Sequence, residues 1–274
     1  MNKKNSVAIY TSIFGGYDRL HEGEAIPGAD LICFTDDPSL RSAIWDIRYV
    51  LSGCEMARTR NRFYKMLPHR AIPEYAASMY IDGNVHLHAS PLKLFEEIGE
   101  KKLIAPPHPY RDCVYDEAAQ CAAFKYITGQ ELEEWLALYR EAGLPRHAGL
   151  FENNVLIRAH NDAGIVRLMD AWWESYCARP TRDQLSLTPI AARHGIKIYP
   201  MPDGPRRSHR YFHMVPHGTP RGMGPIAWMQ QYCQINRDVN PGYALLSAIL
   251  ASVIRHGAQV KRGIRKTYAH VAKS

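Results

Sequence analysis

The sequence predicts an α/β protein built on one central, mainly parallel β-sheet with helices on both faces. Short apolar, β-branched runs alternate with longer helix-like runs through the first half of the 274 residues, and polar turns follow several of the strand-like runs. The composition, with 46% hydrophobic and 22% charged residues, is typical of a globular protein with a well-packed core. Because parallel sheets bind ligands beyond the carboxyl ends of their strands, those polar turns are the first candidates for a functional site.

The predicted elements alternate along the chain. Apolar or alternating patterns predict strands at 7–14, 31–34, 45–51, 77–81 and 155–157. Helix-like runs with turn or breaker residues at their ends predict helices at 55–67, 91–98, 116–127, 131–142, 162–176 and 183–193. Residues 201–224 are rich in Pro, Gly, Arg and His, so we expect a long loop there, a type of segment that usually carries function or is disordered.

The net charge of +7 is concentrated at the C-terminus. No acidic residue follows Asp238, whereas the last stretch carries Arg255, Lys261, Arg262, Arg265, Lys266 and Lys273. We therefore expect a main domain at 1–242 and a basic amphipathic helical tail at 243–274. An apolar run followed by cations favours an interfacial helix on an anionic membrane surface. A solvated basic helix and packing of 244–254 against the domain are the alternatives. No nucleic-acid partner is expected, because no recognised binding motif occurs.

The cellular location is predicted from cysteine usage and apolar runs. The six cysteines form no C-x-x-C pair, the N-terminus has no signal-peptide core, and no apolar run reaches the roughly 18 residues of a spanning helix. We expect a cytoplasmic protein that docks, if at all, peripherally on the inner face of the membrane.

The turn Asp82-Gly83-Asn84 directly follows the strand predicted at 77–81. Two side-chain oxygens two residues apart, on a tight turn that glycine permits, can both reach one hard divalent cation such as Mn²⁺ or Mg²⁺. That cation would hold a diphosphate. The alternative is an Asx turn that closes a hairpin into residues 85–87.

The helix predicted before this turn carries a stripe of three cations. Arg58, Arg62 and Lys65 are spaced at i, i+4 and i+7, which places them on one side of the helix. Guanidinium and ammonium groups bind phosphate oxygens, so the stripe could form a pyrophosphate cradle. A basic helix face by itself is also typical of a solvated surface.

Asp183 and Gln184 precede the body of the last predicted helix. Asp183 can serve as its N-cap. It can also lie at a reaction centre, where a carboxylate acts as a general base or, together with the amide, stabilises positive charge on a sugar ring.

The predicted loop at 201–224 contains the histidines His209, His213 and His217. One of them could complete a metal shell that begins with Asp82. Zinc ligation by all three is the alternative, although no cysteine or acid lies close by in the sequence.

A polar cluster, Glu152-Asn153-Asn154, stands before the strand at 155–157. Its side chains suit the hydroxyls of a sugar, and the alternative is an ordinary polar turn. Four charged residues further back are candidates for the same cleft, although the helix dipole also explains the two acids that begin a helix. They are Arg111, Asp112, Asp116 and Glu117.

Eight motifs, in this order, resemble a known family. They are FGGYD, ICFTDD, ARTRNRFYKMLPHR, SMYIDGNVHL, RDCVYDEA, ENNVLIRAHN, WWESY and RDQLSL, spread over about residues 6–200. The chain is similar to the glycosyltransferase family first catalogued as a domain of unknown function, found in plant cell-wall polysaccharide transferases and in bacterial surface-polysaccharide loci. The resemblance implies a GT-A fold, a nucleotide-sugar-binding α/β sandwich in which an Asp-x-Asp-type turn holds a divalent metal and the donor diphosphate.

The resemblance also implies roles for single residues. Thr11, Gly15, Gly16, Tyr17 and Asp18 look like the first-strand loop that touches the nucleotide, and Asp36 and Asp37 like the second-strand acid near base and ribose. Arg58, Arg62 and Lys65 match the basic helix, Asp82 and Asn84 the metal turn, and Asp183 and Gln184 the motif beside the anomeric carbon. Here the turn reads Asp-Gly-Asn, so one ligand is a neutral amide. His213 and His217 are expected, ahead of His209, as the histidine ligand.

Together these features predict a metal-assisted glycosyltransferase. It would move a sugar from a UDP-sugar to a hydroxyl of a glycan or lipid-linked glycan acceptor in the biosynthesis of a surface polysaccharide of lipopolysaccharide or capsule type. An inverting reaction would use Asp183 as the base, whereas a retaining one would use Asp183 and Gln184 to stabilise the oxocarbenium-like state. The alternative is a protein that binds or hydrolyses a nucleotide sugar without transferring the sugar.

Overall fold

The computed structural model describes residues 6–51, 55–180, 182–218 and 224–271, and their side chains up to residue 259. In this part of the chain seven strands form one sheet: β1 Val7–Ile13, β2 Asp30–Thr35, β3 Asp46–Tyr49, β4 Ala77–Ile81, β6 Leu103–Ala105, β7 Val155–Arg158 and β8 Tyr199–Pro200. Two more strands, β5 Val85–Leu87 and β9 Phe212–Met214, pair with each other in a small second sheet.

The large sheet has the order β3-β2-β1-β4-β7-β6-β8. Neighbouring strands are parallel except around β7, which is antiparallel to both β4 and β6. Consequently the carboxyl ends of β1 and β4 lie at the same side of the sheet as the amino end of β7. The turn after β4 and the segment before β7 meet there, and the backbone N–H of Asp82 donates to the carbonyl of Asn154 at 2.9 Å.

Helices occupy most of the remaining described chain. They are α1 Ala57–Met66, α2 Pro68–Ala71, a 3-10 helix Leu92–Phe95, α3 Val114–Ala123, α4 Gly129–Glu141, α5 Ala163–Ala178, α6 Gln184–Arg193, α7 Pro225–Ile235 and α8 Pro241–Val271. Helix α4 begins with a capping box, in which the side chains of Thr128 and Glu131 accept hydrogen bonds from each other's backbone N–H groups. This cap starts the helix before the predicted residue 131.

Apolar side chains cover both faces of the sheet. Tyr10 and Leu156 belong to a core that α1, α5 and α6 complete on one face. Their strand neighbours Ile9 and Ile157 point to the other face, which is covered by the 3-10 helix, the small sheet and Ile235 of α7. Residues thus alternate between two cores with the period of a strand. The predicted class, α/β with a central mainly parallel sheet and helices on both faces, is confirmed.

The sequence patterns missed the strands β6, β8 and β9. They contain three, two and three residues, too few to display a period, and they form by pairing with strands that are distant in the chain. β9 lies within the segment 201–224, which was expected to be a loop throughout. The helix expected at 91–98 is the shorter 3-10 helix. Helix α8 begins close to the predicted start of the tail, and the division at residue 242 stays a prediction.

Candidate functional site

A cavity of about 860 Å³ opens at the carboxyl ends of β1 and β4. Its walls come from the loop after β1, from α1, from the turn after β4, from residues 108–111 and α3, from the segment 152–154 and from the start of α6. The antiparallel direction of β7 brings the segment 152–154 to this side of the sheet. Polar segments that are far apart in the sequence therefore converge on one cavity.

Most of the predicted site residues line this cavity. They are Gly15, Tyr17, Asp18, Arg58, Arg62, Lys65, Asp82, Asn84, Glu152, Asn153, Asn154, Asp183, Gln184 and His217. The predicted residues outside the lining are Thr11, Gly16, Asp36, Asp37, Asp112, Asp116, His209 and His213. The structure therefore brings the first group together, and the individual role of each residue stays a prediction.

Lys65 is the centre of a charge cluster in the cavity wall. Its side chain is 2% exposed, and its Nζ lies 3.2 Å from Asp82 Oδ1 and 2.9 Å from Asp183 Oδ2. Arg62 Nε approaches the same oxygen of Asp183 at 3.4 Å. The charges of two cations and two carboxylates thus balance one another. Such pairing is needed because an unpaired buried charge is strongly destabilising. At these two positions the cationic stripe of α1 is not a solvated surface.

A fully buried arginine on β7 holds the backbone of this cluster. Arg158 Nη1 donates to the carbonyl oxygen of Lys65 at 2.8 Å, and Nη2 donates to the hydroxyl of Tyr10 at 2.6 Å. These bonds tie the end of α1 to two strands of the sheet. The position of Lys65 is therefore fixed by the core and not by its own helix alone.

The neighbours of Asp183 determine its protonation. Burial opposes ionisation, but Arg62 and Lys65 outweigh it and hold the pKa of the carboxyl well below its ordinary value of 3.8. A general base works best with a pKa near the operating pH, so this carboxylate is a weak proton acceptor. Its side chain makes no capping hydrogen bond to the described residues of α6, which contradicts the N-cap alternative.

The turn after β4 needs glycine for a steric reason. A Cβ at Gly83 would lie 2.9 Å from the Cβ of Asp18, so any other residue would displace the loop after β1. The Asp18 carboxylate is in turn 3.2 Å from His217 Nδ1. The turn therefore carries Asp82 and Asn84 itself, and it packs against Asp18, which in turn contacts His217.

The amide of Asn84 uses only one of its two polar atoms within the described chain. The residue is 2% exposed, and Nδ2 donates to the carbonyl of Val215 at 3.0 Å, whereas the buried Oδ1 has no hydrogen-bond partner among the described residues. A buried oxygen without a donor is costly, and a bound cation would satisfy it. The oxygens of Asp82 and Asn84 on this turn could therefore hold a divalent cation. His217, which lines the same cavity and is paired with Asp18, is the candidate for a third ligand.

His213 and His209 are separated from this turn by the small sheet. β9 pairs antiparallel with β5, so His213 lies opposite His86, at 5.3 Å between ring centres, while its neighbour Met214 lines the cavity. The alternation of a strand thus sends His213 to the other face. The prediction that His213 ligates the metal is not supported by its position, and neither is zinc ligation by all three histidines, because only His217 of the three lines the cavity.

Asp36 shapes the loop after β1 instead of lining the cavity. Its carboxylate accepts from the backbone N–H of Gly15 at 3.0 Å and pairs with Arg60 at 2.8 Å. The neighbouring Asp37 accepts from Ser39 at 2.8 Å. Thr11, Gly16, Asp36 and Asp37 do not line the cavity, and their nucleotide contacts stay predictions.

The segment before β7 presents polar atoms that lack partners. Both polar atoms of Asn153 and Oδ1 of Asn154 are buried and make no hydrogen bond within the described chain. Glu152 Oε1 lies 2.6 Å from Arg206 Nε. Burial raises the pKa of Glu152, and Arg206 opposes this shift without cancelling it. These groups suit the hydroxyls of a sugar.

The α3 side of the cavity was largely missed by sequence reasoning. His108, Tyr110, Phe124, Tyr126, Arg182 and Arg206 line it, together with the expected Arg111 and Glu117. The helix predicted at 116–127 includes Phe124 and Tyr126, but α3 ends at Ala123. Lys125 then adopts a φ of 60°, which is uncommon for a residue with a side chain, and both aromatic rings remain exposed.

A second group of ligand atoms lies outside the cavity. One atom each of Cys113, Asp116 and His147 lies within 4.8 Å of the others. Asp116 is paired with Arg146, and His147 Nδ1 is 2.7 Å from a carboxylate oxygen of Asp112. Asp82 and His217 are paired as well, with Lys65 and Asp18, so pairing does not separate the two groups. The turn after β4 is favoured because it lines the cavity and carries the buried, unpartnered Oδ1 of Asn84.

Solved structures similar to this chain include three transferases. The bifunctional glycosyltransferase WbbM aligns with 10% identity and a TM-score of 0.40, over 74% of this chain and 39% of its own. Mouse xyloside xylosyltransferase 1 aligns with 10% identity and a TM-score of 0.40, over 73% of this chain and 86% of its own. The glycosyltransferase GlyE of Streptococcus pneumoniae TIGR4 aligns with 11% identity and a TM-score of 0.42, over 73% of this chain and 46% of its own. The chain thus spans less than half the length of WbbM and of GlyE. A comparison with curated proteins gives no match.

A family profile gives a direct assignment. The TOD1/MUCI70, glycosyltransferase-like domain matches residues 37–200, which is more than half of the chain. The description of this family agrees with the predicted enzyme class, a glycosyltransferase, and the observed sheet agrees with the predicted α/β class. The protein belongs to the TOD1/MUCI70 glycosyltransferase-like family.

Proposed function

We propose that the protein transfers a sugar from a UDP-sugar to a hydroxyl of a glycan acceptor, with the help of a divalent cation, in the biosynthesis of a surface polysaccharide of lipopolysaccharide or capsule type. The observation that best supports a donor site is the unpartnered Oδ1 of Asn84. It belongs to the same turn as Asp82, in a cavity that Arg62 and Lys65 also line. The uridine nucleotide and the polysaccharide context follow the resemblance of the sequence motifs.

The donor diphosphate would lie between the turn after β4 and α1. Asp82, Asn84 and His217 would hold Mn²⁺ or Mg²⁺, which when bound neutralises charge on the leaving diphosphate. Arg58, Arg62 and Lys65 line the same wall and supply positive charge where the leaving group becomes more negative. The nucleoside would then extend along Gly15 and the exposed Tyr17.

Asp183 would act by its charge. Its lowered pKa and its contacts with Lys65 and Arg62 suit a permanent anion that stabilises an oxocarbenium-like sugar, which favours the retaining alternative over the use of this residue as a base. Glu152, whose pKa is raised by burial, is the better proton acceptor among these two cavity carboxylates. The anomeric proton signal of the product, measured by magnetic resonance, distinguishes retention from inversion.

Thermal unfolding with nucleotides and metals tests the donor site directly. We expect UDP to raise the melting temperature by several degrees when Mn²⁺ is present and far less without it, because a ligand at 100 times its Kd stabilises by about 2.7 kcal/mol. ADP and GDP serve as matched controls. Equal stabilisation by all three nucleotides would contradict the uridine assignment, and equal stabilisation with and without Mn²⁺ would contradict the metal. Tight binding of a UDP-sugar with no sugar transferred to any acceptor would favour the binding or hydrolysing alternative.

The C-terminal helix α8 supports docking on an anionic membrane as the further part of this proposal. Ser247 of α8 is buried and bonds Gln230 and Gln234 of α7, so one side of the helix is packed. Four apolar side chains on another side are exposed, namely Leu245, Leu246, Ile249 and Val253. An apolar stripe followed by cations in the sequence is what an interfacial helix needs. No described helix is both long and apolar enough to cross a bilayer.

Vesicle pelleting tests the membrane partner. We expect the protein to pellet with vesicles of phosphatidylcholine and phosphatidylserine, less so with phosphatidylcholine alone, and Ile249→Glu to reduce pelleting several-fold. Leu51→Glu, which places the same charge at an exposed apolar residue outside α8, is the control. Equal pelleting of Ile249→Glu and wild type would overturn the membrane role.

A further inference from the structure

The α3 side of the cavity concentrates arginines around one buried imidazole. The side chain of His108 is 8% exposed. Burial, followed by Arg111, Arg206, Arg182 and Arg207, lowers its pKa to about 4. Its Nδ1 accepts the backbone N–H of Arg111 at 3.0 Å, as expected for a neutral ring. Four arginines from three separate segments therefore create a positive field at this end of the cavity.

The nearby carboxylates offset two of these four arginines. Arg111 binds Glu117 at 2.6 Å, and Arg206 binds Glu152 at 2.6 Å, so each acid is already matched by one arginine. Arg182, by contrast, forms no ion pair with a carboxylate of the described residues. Its guanidinium lies 4.9 Å from the ring centre of Tyr126 and contacts the neutral Gln184 at 3.4 Å.

Asp183, which follows Arg182 in the sequence, pairs with other cations. Arg182 contributes to the low pKa of Asp183, but the Asp183 carboxylate is held by Lys65 at 2.9 Å and by Arg62 at 3.4 Å. The guanidinium of Arg182 thus remains a cation with neutral contacts in the cavity wall. Stacking on an aromatic ring keeps its planar fork oriented for a bidentate anion.

An aromatic surface adjoins this cation. Phe124 and Tyr126 are 63% and 60% exposed, and their ring centres are 6.0 Å apart. The unusual backbone of Lys125 between them holds both rings out of the core. Flat apolar rings beside polar groups suit the ring face of a sugar, whose hydroxyls would remain available for hydrogen bonds.

We propose that the acceptor sugar carries an acidic group, a carboxylate or a phosphate, which binds Arg182 while its ring lies on Phe124 and Tyr126. This inference rests on the proposed transferase function, because it assigns the acceptor part of the same cavity. A neutral sugar would leave Arg182 without a counter-charge, whereas an acidic group on the sugar supplies one.

Calorimetric binding of matched sugars to the full chain, saturated with UDP and Mn²⁺, tests the inference. The probes are methyl glucoside, methyl glucuronide and glucose 6-phosphate. We expect at least one of the two acids to bind at least tenfold more tightly than the neutral glucoside at low salt, and the difference to shrink as salt screens the charge. The glucuronide and phosphate arms distinguish a carboxylate from a phosphate acceptor.

Variants connect this preference to Arg182. Arg182→Gln should remove most of the preference for the acid, and Arg182→Lys, which keeps the charge but loses the planar fork, should retain part of it. Arg193→Gln, which removes an exposed arginine at the other end of α6, is the matched control and should leave the preference intact.

Two outcomes separate failure of this inference from failure of the proposed function. If UDP with Mn²⁺ stabilises the wild type but acidic and neutral sugars bind equally well, the acidic acceptor is overturned and the donor site stands. If UDP with Mn²⁺ does not stabilise the wild type, the proposed function itself is contradicted. An unchanged acid preference in Arg182→Gln would also overturn the inference, provided that its melting temperature matches that of the wild type.

Discussion

Replacing Asp82 with asparagine is expected to lower transfer from the donor by a factor on the order of a hundred or more, the range seen when a transition-state contact is removed. The substitution keeps the shape of the side chain and removes its charge. It also leaves the metal turn with two amides and the buried Lys65 with Asp183 as its remaining acid. Transfer should be measured as release of UDP and as labelled product.

A metal titration gives the same prediction a readout that does not depend on activity. Asp82→Asn should require a higher Mn²⁺ concentration than the wild type for stabilisation by UDP in a thermal scan. Asp46→Asn, at an exposed carboxylate on β3, is the control and should behave as the wild type. Full turnover and an unchanged Mn²⁺ dependence in Asp82→Asn would remove Asp82 from the metal site.

Replacing Asp183 with asparagine is expected to reduce both turnover and stability. Turnover should fall by a factor on the order of a hundred, because the anion that we propose to face the sugar is lost. The free energy of unfolding should fall by about 2 kcal/mol, less than the ~3–5 kcal/mol for a fully buried pair, because Lys65 keeps Asp82 as a second carboxylate partner. Denaturant unfolding measures the second effect.

The pH dependence of stability follows from the lowered pKa of Asp183. The native carboxyl binds its proton less readily than the unfolded one, so its stabilising contribution is complete above the ordinary value of 3.8 and is lost as the pH falls below it. The stability difference between wild type and Asp183→Asn should therefore be constant above about pH 5 and shrink in acid. A difference that grows in acid would contradict the sign of the shift.

A double variant separates the structural effect from the catalytic one. Adding Lys65→Met to Asp183→Asn removes the buried cation that lost one of its two carboxylate partners, so stability should recover in part. Turnover should not recover, because both the anion and the cation of the site are then absent. Recovery of turnover in the double variant would show that Asp183 acts only by holding Lys65.

Local sequence patterns predicted the strands that supply the site. β4 has the bounds expected from its apolar run, and β1, β2 and β7 differ from expectation by one or two residues. These strands are long enough to display a pattern, and their ends are marked by Gly15-Gly16, Asp36-Asp37 and the turn after β4. The three-residue strands β6 and β9 could not be predicted, because their stability comes from pairing across the chain.

The residues of the candidate site also fall into two groups, those that the sequence predicted and those that only the fold revealed. The spacing of Arg62 and Lys65 on α1 and the Asp82-Gly83-Asn84 turn were visible because each depends on neighbours within a few residues. The choice between His213 and His217 was not visible, because it depends on which face of β9 a residue occupies. Arg182 was also missed, since its role depends on Tyr126, which lies more than fifty positions earlier.

By itself the sequence determined the α/β class, the positions of the main strands along the chain, the turn after β4 and the family resemblance, because all four depend on short spacings and local propensities. Only the tertiary structure decided that Asp36 supports a loop, that Asp183 is a permanent anion and that arginines gather on the α3 side. The physical reason is that burial and Coulomb interactions act through space, so they depend on which distant segments the fold brings within a few ångströms.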